Sequence, residues 1–149
     1  MKKTIWFDMD GTLADLYSVE GWLDMLHAYD TTPYAQAAVM LNMSRFARYL
    51  NKIQRAGYKI GIISWLSKET TEEYDKAVTQ VKLDWLKLHL PSVQWDYINI
   101  VAYGTPKSTF MNTTRDLLFD DEEKNCREWK GWAFEPKDIF SALMEIVGV

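Results

Sequence analysis

The stretch TIWFDMDGT, residues 4–12, decides the fold. Its first four residues are β-branched or aromatic, which is typical of a buried strand. Two carboxylates follow directly, and Gly11 allows a sharp turn after them. In open α/β sheets, ligands bind beyond the carboxyl ends of the strands. The stretch therefore predicts a first core strand that brings Asp8 and Asp10 to a binding edge, on the same side of the sheet if the strand runs through both.

The rest of the chain alternates between helical and strand patterns. Strands are predicted at residues 58–64, 97–101 and 116–121, with a short fifth at 129–134, and helices at 18–29, 34–41, 44–57, 71–89 and 138–147. Such an alternation is typical of an α/β fold with a parallel sheet. We therefore predict a single domain over residues 1–149, with a Rossmann-like, doubly wound, mostly parallel sheet flanked by helices.

Polar side chains end three of the predicted strands. Ser64 ends the second strand, and Asp120 and Asp121 end the fourth, while Lys107 lies in a loop between them. A D-x-D or D-D pair alone is common in turns, so the joint placement at separate strand ends is what indicates a site. Carboxylates gathered at one edge repel one another unless a cation lies between them. A hard divalent ion such as Mg²⁺ suits these oxygen ligands.

The turn after Asp10 is a candidate phosphate-binding element. Gly11 permits the turn, and the backbone N–H groups of Gly11 and Thr12 are candidates to bind phosphate oxygens.

In order along the chain, these segments resemble the four motifs of the haloacid dehalogenase-like superfamily. The first motif is similar to DMDGT at residues 8–12, the second to Ser64 after residues 61–63, the third to Lys107, and the fourth to LLFDD at residues 117–121. The motifs span nearly the whole chain. The first and fourth are specific in sequence, and the other two are specific by context.

The resemblance implies a role for each site residue. Asp8 would be the nucleophile that forms an aspartyl-phosphate, and Asp10 would protonate the leaving oxygen and later activate water. Ser64 and Lys107 would hold the phosphoryl oxygens. The implied Mg²⁺ ligands are Asp8, Asp10 (through its backbone carbonyl), Asp120 and Asp121. A carboxylate nucleophile splits one difficult displacement into two, and metal and ammonium charges stabilise the transferring phosphoryl group.

Within the superfamily, three segments resemble the 5′(3′)-deoxyribonucleotidases. They are DMDGTLADL at residues 8–16, WLKLHL at residues 85–90 and DLLFDD at residues 116–121. This resemblance implies a nucleoside monophosphate as substrate and a small helical cap inserted after strand 1, at about residues 15–43. That insertion is shorter than the helical cap of those enzymes. Candidate aromatic residues for a substrate wall are Trp65, Tyr17, Trp22 and Tyr34.

Composition limits the partners. The net charge of −4 gives no basic face for long nucleic acid, and no apolar stretch approaches membrane-spanning length. Cys126 is the single cysteine, so it has no partner for an internal disulfide, and we expect a cytoplasmic protein. His27 and His89 lie on predicted helices away from the strand ends, and we predict that both are non-catalytic.

Other functions remain open on the sequence. The substrate could be another small phosphorylated metabolite or a polynucleotide 3′-end. A non-hydrolytic phosphoacceptor signalling domain also gathers acidic residues and a lysine around Mg²⁺, but the D-x-D-G-T spacing and the insertion argue against it. An inactive binding module is disfavoured because every expected catalytic position is filled. The oligomeric state, and whether the small cap or a second subunit closes the site, are open.

Overall fold

The computed structural model describes residues 2–148. Its strands are β1 (Thr4–Phe7), β2 (Ala14–Asp15), β3 (Ala38–Val39), β4 (Lys59–Trp65), β5 (Tyr97–Val101), β6 (Leu117–Phe119) and β7 (Trp132–Phe134). Its α-helices are α1 (Trp22–His27), α2 (Thr32–Gln36), α3 (Met43–Arg55), α4 (Glu72–His89), α5 (Glu123–Glu128) and α6 (Ile139–Val147). Short 3₁₀ helices occur at Leu16–Ser18, Lys107–Phe110 and Pro136–Asp138. Within the described range, every helix is too short or too polar to cross a membrane.

Five of the strands form one sheet in the order β5-β4-β1-β6-β7, and every pairing in it is parallel. In the register of β1, Ile5 lies beside Ile60 on one side and Leu117 on the other. The strand order reverses at β1, which places the topological switch point there. The predicted Rossmann-like α/β fold is therefore confirmed.

The two faces of the sheet are covered differently. Ile5 and Phe7 point to one face, where they join a large core with buried residues of α3, α4 and α6. Trp6 points to the other face and packs with Ile63, Leu118 and Trp129. This second cluster is smaller, and it includes Phe110 from the 3₁₀ helix at Lys107–Phe110 and Trp129, which follows α5. Alternation along β1 thus buries the strand on both faces, as expected for a central parallel strand.

The segment between β1 and α3 differs in detail from the predicted pair of helices. Helix α1 is shorter than predicted because Gly21 (φ 73°) and Tyr29 (φ 59°) adopt left-handed conformations on either side of it. Helix α2 ends at Gln36, and the chain then forms β3, which pairs antiparallel with β2. The segment packs on α4 through a separate apolar cluster of Leu16, Leu26, Tyr34, Tyr74 and Val78. The segment between β1 and α3 therefore lies beside the carboxyl end of the sheet.

Candidate active site

Three carboxylates meet at the carboxyl ends of β1 and β6. Asp8, Asp120 and Asp121 each offer an oxygen, and these oxygens all lie within 4.8 Å of one another. The backbone N–H of Asp8 donates to the Phe119 carbonyl at 3.0 Å, so the pairing of the two strands continues up to the site. Asp8 and Asp120 are buried, whereas Asp121 is exposed. We call these three residues the acidic cluster.

Lys107 reaches this cluster from its 3₁₀ helix. Its Nζ lies 2.9 Å from Asp8 Oδ1 and 2.7 Å from Asp120 Oδ2, and the side chain is buried. Burial alone would lower the pKa of Lys107, but the two carboxylates outweigh it and raise that pKa. The ammonium therefore stays charged. Lys107, which the sequence placed in a loop, thus lies in direct contact with Asp8.

The charge at this edge is not balanced by Lys107. Burial and the neighbouring Asp8 raise the pKa of Asp120 in spite of the lysine. Loss of hydration, together with a hydrogen bond and charge from Asp8, raises the pKa of Asp121 to about 8. Burial is the largest cause of both pKa shifts, and the neighbouring carboxylates add to it. A divalent cation would offset that neighbouring negative charge. The acidic cluster offers only oxygen donors, so the set fits the predicted Mg²⁺.

Asp10 is not one of the three residues of the acidic cluster. Strand β1 ends at Phe7 and does not continue through Asp10, so alternation along the strand does not set this side chain. Its Oδ2 lies 2.9 Å from the Nζ of Lys82, a residue of α4. The carboxylate is thus separate from the cluster, and the metal contact through the Asp10 backbone carbonyl stays a prediction.

Sequence reasoning missed Lys82. Besides Asp10, its Nζ donates to Ser64 Oγ at 2.7 Å and to the Trp65 carbonyl at 2.8 Å. Apolar residues lie on more than one side of α4, and Leu88 is 71% exposed. The buried row runs at four-residue spacing, through Tyr74, Val78, Lys82 and Leu86. A lysine inside an apolar row was the available signal, because lysine is almost never fully buried without a partner.

Ser64 was predicted to end the second core strand, and it lies one residue before Trp65, the last residue of β4. It is fully buried and accepts a hydrogen bond from Lys82. A hydroxyl has one hydrogen and two acceptor lone pairs, so Ser64 keeps its own hydrogen for a further acceptor. Its contact with a phosphate stays a prediction.

The Gly11–Thr12 turn differs from the predicted phosphate cradle. The Gly11 N–H donates to the Ala14 carbonyl at 2.8 Å, and the Thr12 N–H donates to the Met9 carbonyl at 3.1 Å. Both amides are therefore used inside the turn and are not free to hold phosphate. The Thr12 hydroxyl instead donates to Asp8 Oδ2 at 3.0 Å. Gly11 has φ 84°, and a Cβ there would overlap the Asp121 carboxylate, so glycine is required for the close approach.

A cavity of about 640 Å³ opens over these groups. Its wall includes Asp8, Asp10, Asp120, Asp121 and Lys107, the four predicted aromatic residues Tyr17, Trp22, Tyr34 and Trp65, and also Tyr103 and His27. This volume lies in the usual range for small-molecule sites. His27 therefore lies nearer to the strand ends than its helix position suggested.

The aromatic residues form two pairs on the cavity wall. Tyr17 and Trp22 meet edge to face at 5.0 Å between ring centroids, and Trp65 and Tyr103 meet at 4.9 Å. The first pair comes from the inserted segment and the second from the core. Tyr34 is only 5% exposed, and its hydroxyl lies 2.8 Å from Ser67 Oγ, so most of this ring is packed.

The similarity of this chain to known proteins is a similarity of fold. No protein-family model and no curated protein matches this sequence. Among solved structures, the chain is similar to D,D-heptose 1,7-bisphosphate phosphatase from Burkholderia thailandensis, with a TM-score of 0.52 and 13% sequence identity. The match covers 85% of this chain and 70% of that one. The two chains share the α/β architecture.

Proposed function

We propose that this chain is a Mg²⁺-dependent phosphomonoester hydrolase of the haloacid dehalogenase-like superfamily. The observation that carries the proposal is the setting of Asp8, a carboxylate on the cavity wall held by a buried ammonium and grouped with two more carboxylates. The same fold serves a phosphatase in the Burkholderia structure, which supports the reaction class. The order of the four sequence motifs supports it independently.

In the proposed reaction, Asp8 attacks the phosphorus atom and the ester P–O bond breaks. Asp10 gives its proton to the leaving oxygen, so that an alcohol departs and an aspartyl-phosphate remains. Lys107 stabilises the negative charge of the transferring group, since its ammonium already contacts Asp8. Mg²⁺, when held by Asp8, Asp120 and Asp121 with the Asp10 carbonyl, would supply further positive charge to the phosphoryl oxygens.

The second half returns the protein to its starting state. Asp10, now a carboxylate, takes a proton from water as the water attacks the phosphorus atom. The bond between phosphorus and the Asp8 oxygen breaks, and inorganic phosphate leaves. Asp10 therefore acts first as acid and then as base, which requires a carboxylate that faces the cavity.

We infer further that the substrate is a nucleoside monophosphate. The cavity is of small-molecule size, and its aromatic residues offer flat faces against which a nucleobase stacks. The inserted segment at about residues 15–43 would act as the cap, because it supplies Tyr17, Trp22 and Tyr34 to the same wall as Asp8. A cytoplasmic location fits the unpaired Cys126.

The test is phosphate release from a panel of 5′- and 3′-(deoxy)nucleoside monophosphates and sugar phosphates, with Mg²⁺ and with EDTA. We expect metal-dependent turnover that favours nucleotides, and no turnover by Asp8→Asn on the same panel. Preference for sugar phosphates would keep the mechanism and overturn the nucleotide substrate.

Two further arms separate the remaining alternatives. Release of phosphate only from a 3′-phosphorylated oligonucleotide would replace the mononucleotide by a polynucleotide end. Stable labelling of Asp8 by acetyl phosphate, without turnover of any ester, would replace hydrolysis by a phosphoacceptor role. Gel filtration of the active species gives the oligomeric state.

A further inference from the structure

Lys82 is a buried cation that the proposed reaction does not use. It projects from α4, is 1% exposed, and is not part of the cavity wall. Its three partners are Asp10 Oδ2 at 2.9 Å, Ser64 Oγ at 2.7 Å and the Trp65 carbonyl at 2.8 Å. An ammonium has three N–H donors, so these three contacts use all of them. Lys82 therefore has no donor left for a substrate and acts only through its neighbours.

The contact with Asp10 distinguishes the two oxygens of that carboxylate. Oδ2 accepts a hydrogen bond from Lys82, whereas Oδ1 has no hydrogen-bond partner among residues 2–148. Because Lys82 donates to Oδ2, a proton on Asp10 is confined to Oδ1. The ion pair also fixes the rotation of the carboxyl group, since the other two contacts of Lys82 hold its Nζ to the end of β4.

The inserted segment is linked to the same cation. Lys82 Nζ lies 5.0 Å from the centre of the Tyr34 ring, in the range of a cation–π interaction. Tyr34 belongs to α2, packs on α4 and is itself buried. The position of Lys82 is therefore determined from three sides, by β4, by α4 and by the inserted segment.

We propose that Lys82 is a positioning residue that confines the acidic proton of Asp10 to Oδ1 and aims it at the leaving oxygen. This inference rests on the proposed function, because it assigns a use to Asp10 as acid. Lys82 itself does not touch the substrate. Its loss should leave Asp8 in place and impair the two proton transfers of Asp10, the one to the leaving oxygen and the later one from water.

The test compares Lys82→Met on two aryl phosphates, phenyl phosphate and p-nitrophenyl phosphate. The leaving group of the second is a more acidic phenol, so its departure depends less on an acid. The quantity kcat/KM reports only the steps through the first irreversible one, which excludes hydrolysis of the aspartyl-phosphate. We expect kcat/KM for phenyl phosphate to fall about 100-fold, in line with a misplaced catalytic group, and that for p-nitrophenyl phosphate to fall less than about 10-fold.

Two controls make the result specific. Lys76→Met carries the same substitution on the same helix at a side chain that is 78% exposed, and it should leave both rates unchanged. In an Asp10→Asn background, Lys82→Met should have little further effect on phenyl phosphate, because its route of action is gone. Lys82→Gln keeps an N–H donor for Oδ2 and should recover part of the loss, which also covers the case in which Lys82→Met does not fold.

The outcomes separate this inference from the proposed function. Equal losses on both phosphates, or an undiminished loss in the Asp10→Asn background, would overturn the positioning role while hydrolysis by the wild type stands. A wild type that hydrolyses no phosphate ester would overturn the proposed function and this inference with it.

Discussion

Strand β6 has a buried aspartate at each end, and the two are stabilised in opposite ways. Asp116, just before the strand, is fully buried, and no lysine or arginine among residues 2–148 forms a salt bridge with it. Its carboxylate accepts hydrogen bonds from the backbone N–H groups of Thr4 and Asn112, the Trp6 indole and the Thr113 hydroxyl. Burial would raise the pKa of Asp116, but these donors outweigh it and lower that pKa. At the other end, Asp120 contacts the Lys107 ammonium, yet its pKa is raised.

This difference in how the two carboxylates are stabilised indicates that the two ends of the sheet have different roles. Four donors on one carboxylate satisfy its charge and tie the start of β1 to the start of β6, so the amino end supports the fold. At the carboxyl end, the three carboxylates of the acidic cluster outnumber the one ammonium that contacts them, that of Lys107. The remaining negative charge is one that a bound cation would neutralise. Substitutions at the two ends should therefore have opposite effects on stability and activity.

The largest expected effect is at the carboxyl end. Asp8→Asn removes the nucleophile but keeps the shape of the side chain, so we expect kcat to fall at least about 1,000-fold, or about 4 kcal/mol. Thermal unfolding should show no loss of stability in the same variant. Substantial residual turnover would contradict the role of Asp8, and Asp84→Asn, at an exposed position of α4, is the matched control.

At the amino end, the expected effect is on stability. Asp116→Ala leaves four donors without their acceptor, and two of them, the Thr4 N–H and the Trp6 indole N–H, are buried. We expect the free energy of unfolding to fall by about 3 kcal/mol. Urea unfolding measures it, and kcat of the remaining folded protein should stay near that of the wild type. A loss of activity without a loss of stability would reverse the comparison.

The pH dependence of Asp116 follows from the sign of its shift. Because folding lowers the pKa of this carboxyl, its stabilising contribution is fully present above the unfolded value of 3.8. The contribution declines as the pH falls from there through the pKa of the folded state. The stability difference between wild type and Asp116→Ala should therefore shrink in urea titrations at acid pH, and a constant difference would contradict this account.

A smaller effect is expected at Gly11. Gly11→Ala combines a left-handed backbone with overlap of the Asp121 carboxylate, and we expect a loss of about 2 kcal/mol in stability together with weaker Mg²⁺ binding. Gly104→Ala is the matched control, because Gly104 has φ 87° but open space around its Cβ position. Both variants should lose stability, but only Gly11→Ala should bind Mg²⁺ more weakly by calorimetry.

The smallest effect concerns Asp121 and pH. Folding raises the pKa of this group to about 8, so in metal-free protein its charge opposes folding at higher pH, and stability rises as the pH falls through about 8. Asp121→Asn should remove that rise and increase the melting temperature of metal-free protein at pH 9. Mg²⁺ should stabilise the wild type more than the variant there. Identical melting curves for both proteins would contradict the charge argument.

The sequence predicted the carboxyl end of the sheet well, for a physical reason. Asp8 and Asp120 directly follow hydrophobic strands, and parallel strands place their carboxyl ends at one edge of the sheet. Two local sequence patterns were therefore enough to predict that these distant residues lie close together. Lys82 could not be predicted in this way. A helix of eighteen residues presents several rows, and the apolar pattern alone did not decide which row faces the core.

The inserted segment was the least predictable part. Strands β2 and β3 have two residues each, which is too short for a period to appear. The left-handed conformation of Tyr29 depends on its surroundings, since its ring packs against Tyr74 at 5.5 Å, and residue type alone does not favour it. Local propensity is therefore weakest where tertiary contacts set the backbone.

The strand order has a consequence for how the protein folds. Strand β1 pairs with β4 and β6, so Ile5 must meet residues as distant along the chain as Leu117 before Asp8 and Asp120 can share an edge. Contacts of such long separation form slowly, because their loop-closure entropy must be overcome first. A collapsed intermediate that lacks β6 would hold helices and the β1–β4 pair without the acidic cluster. The acidic cluster is thus a property of the completed sheet, because β1 and β6 must pair before Asp8 and Asp120 share an edge.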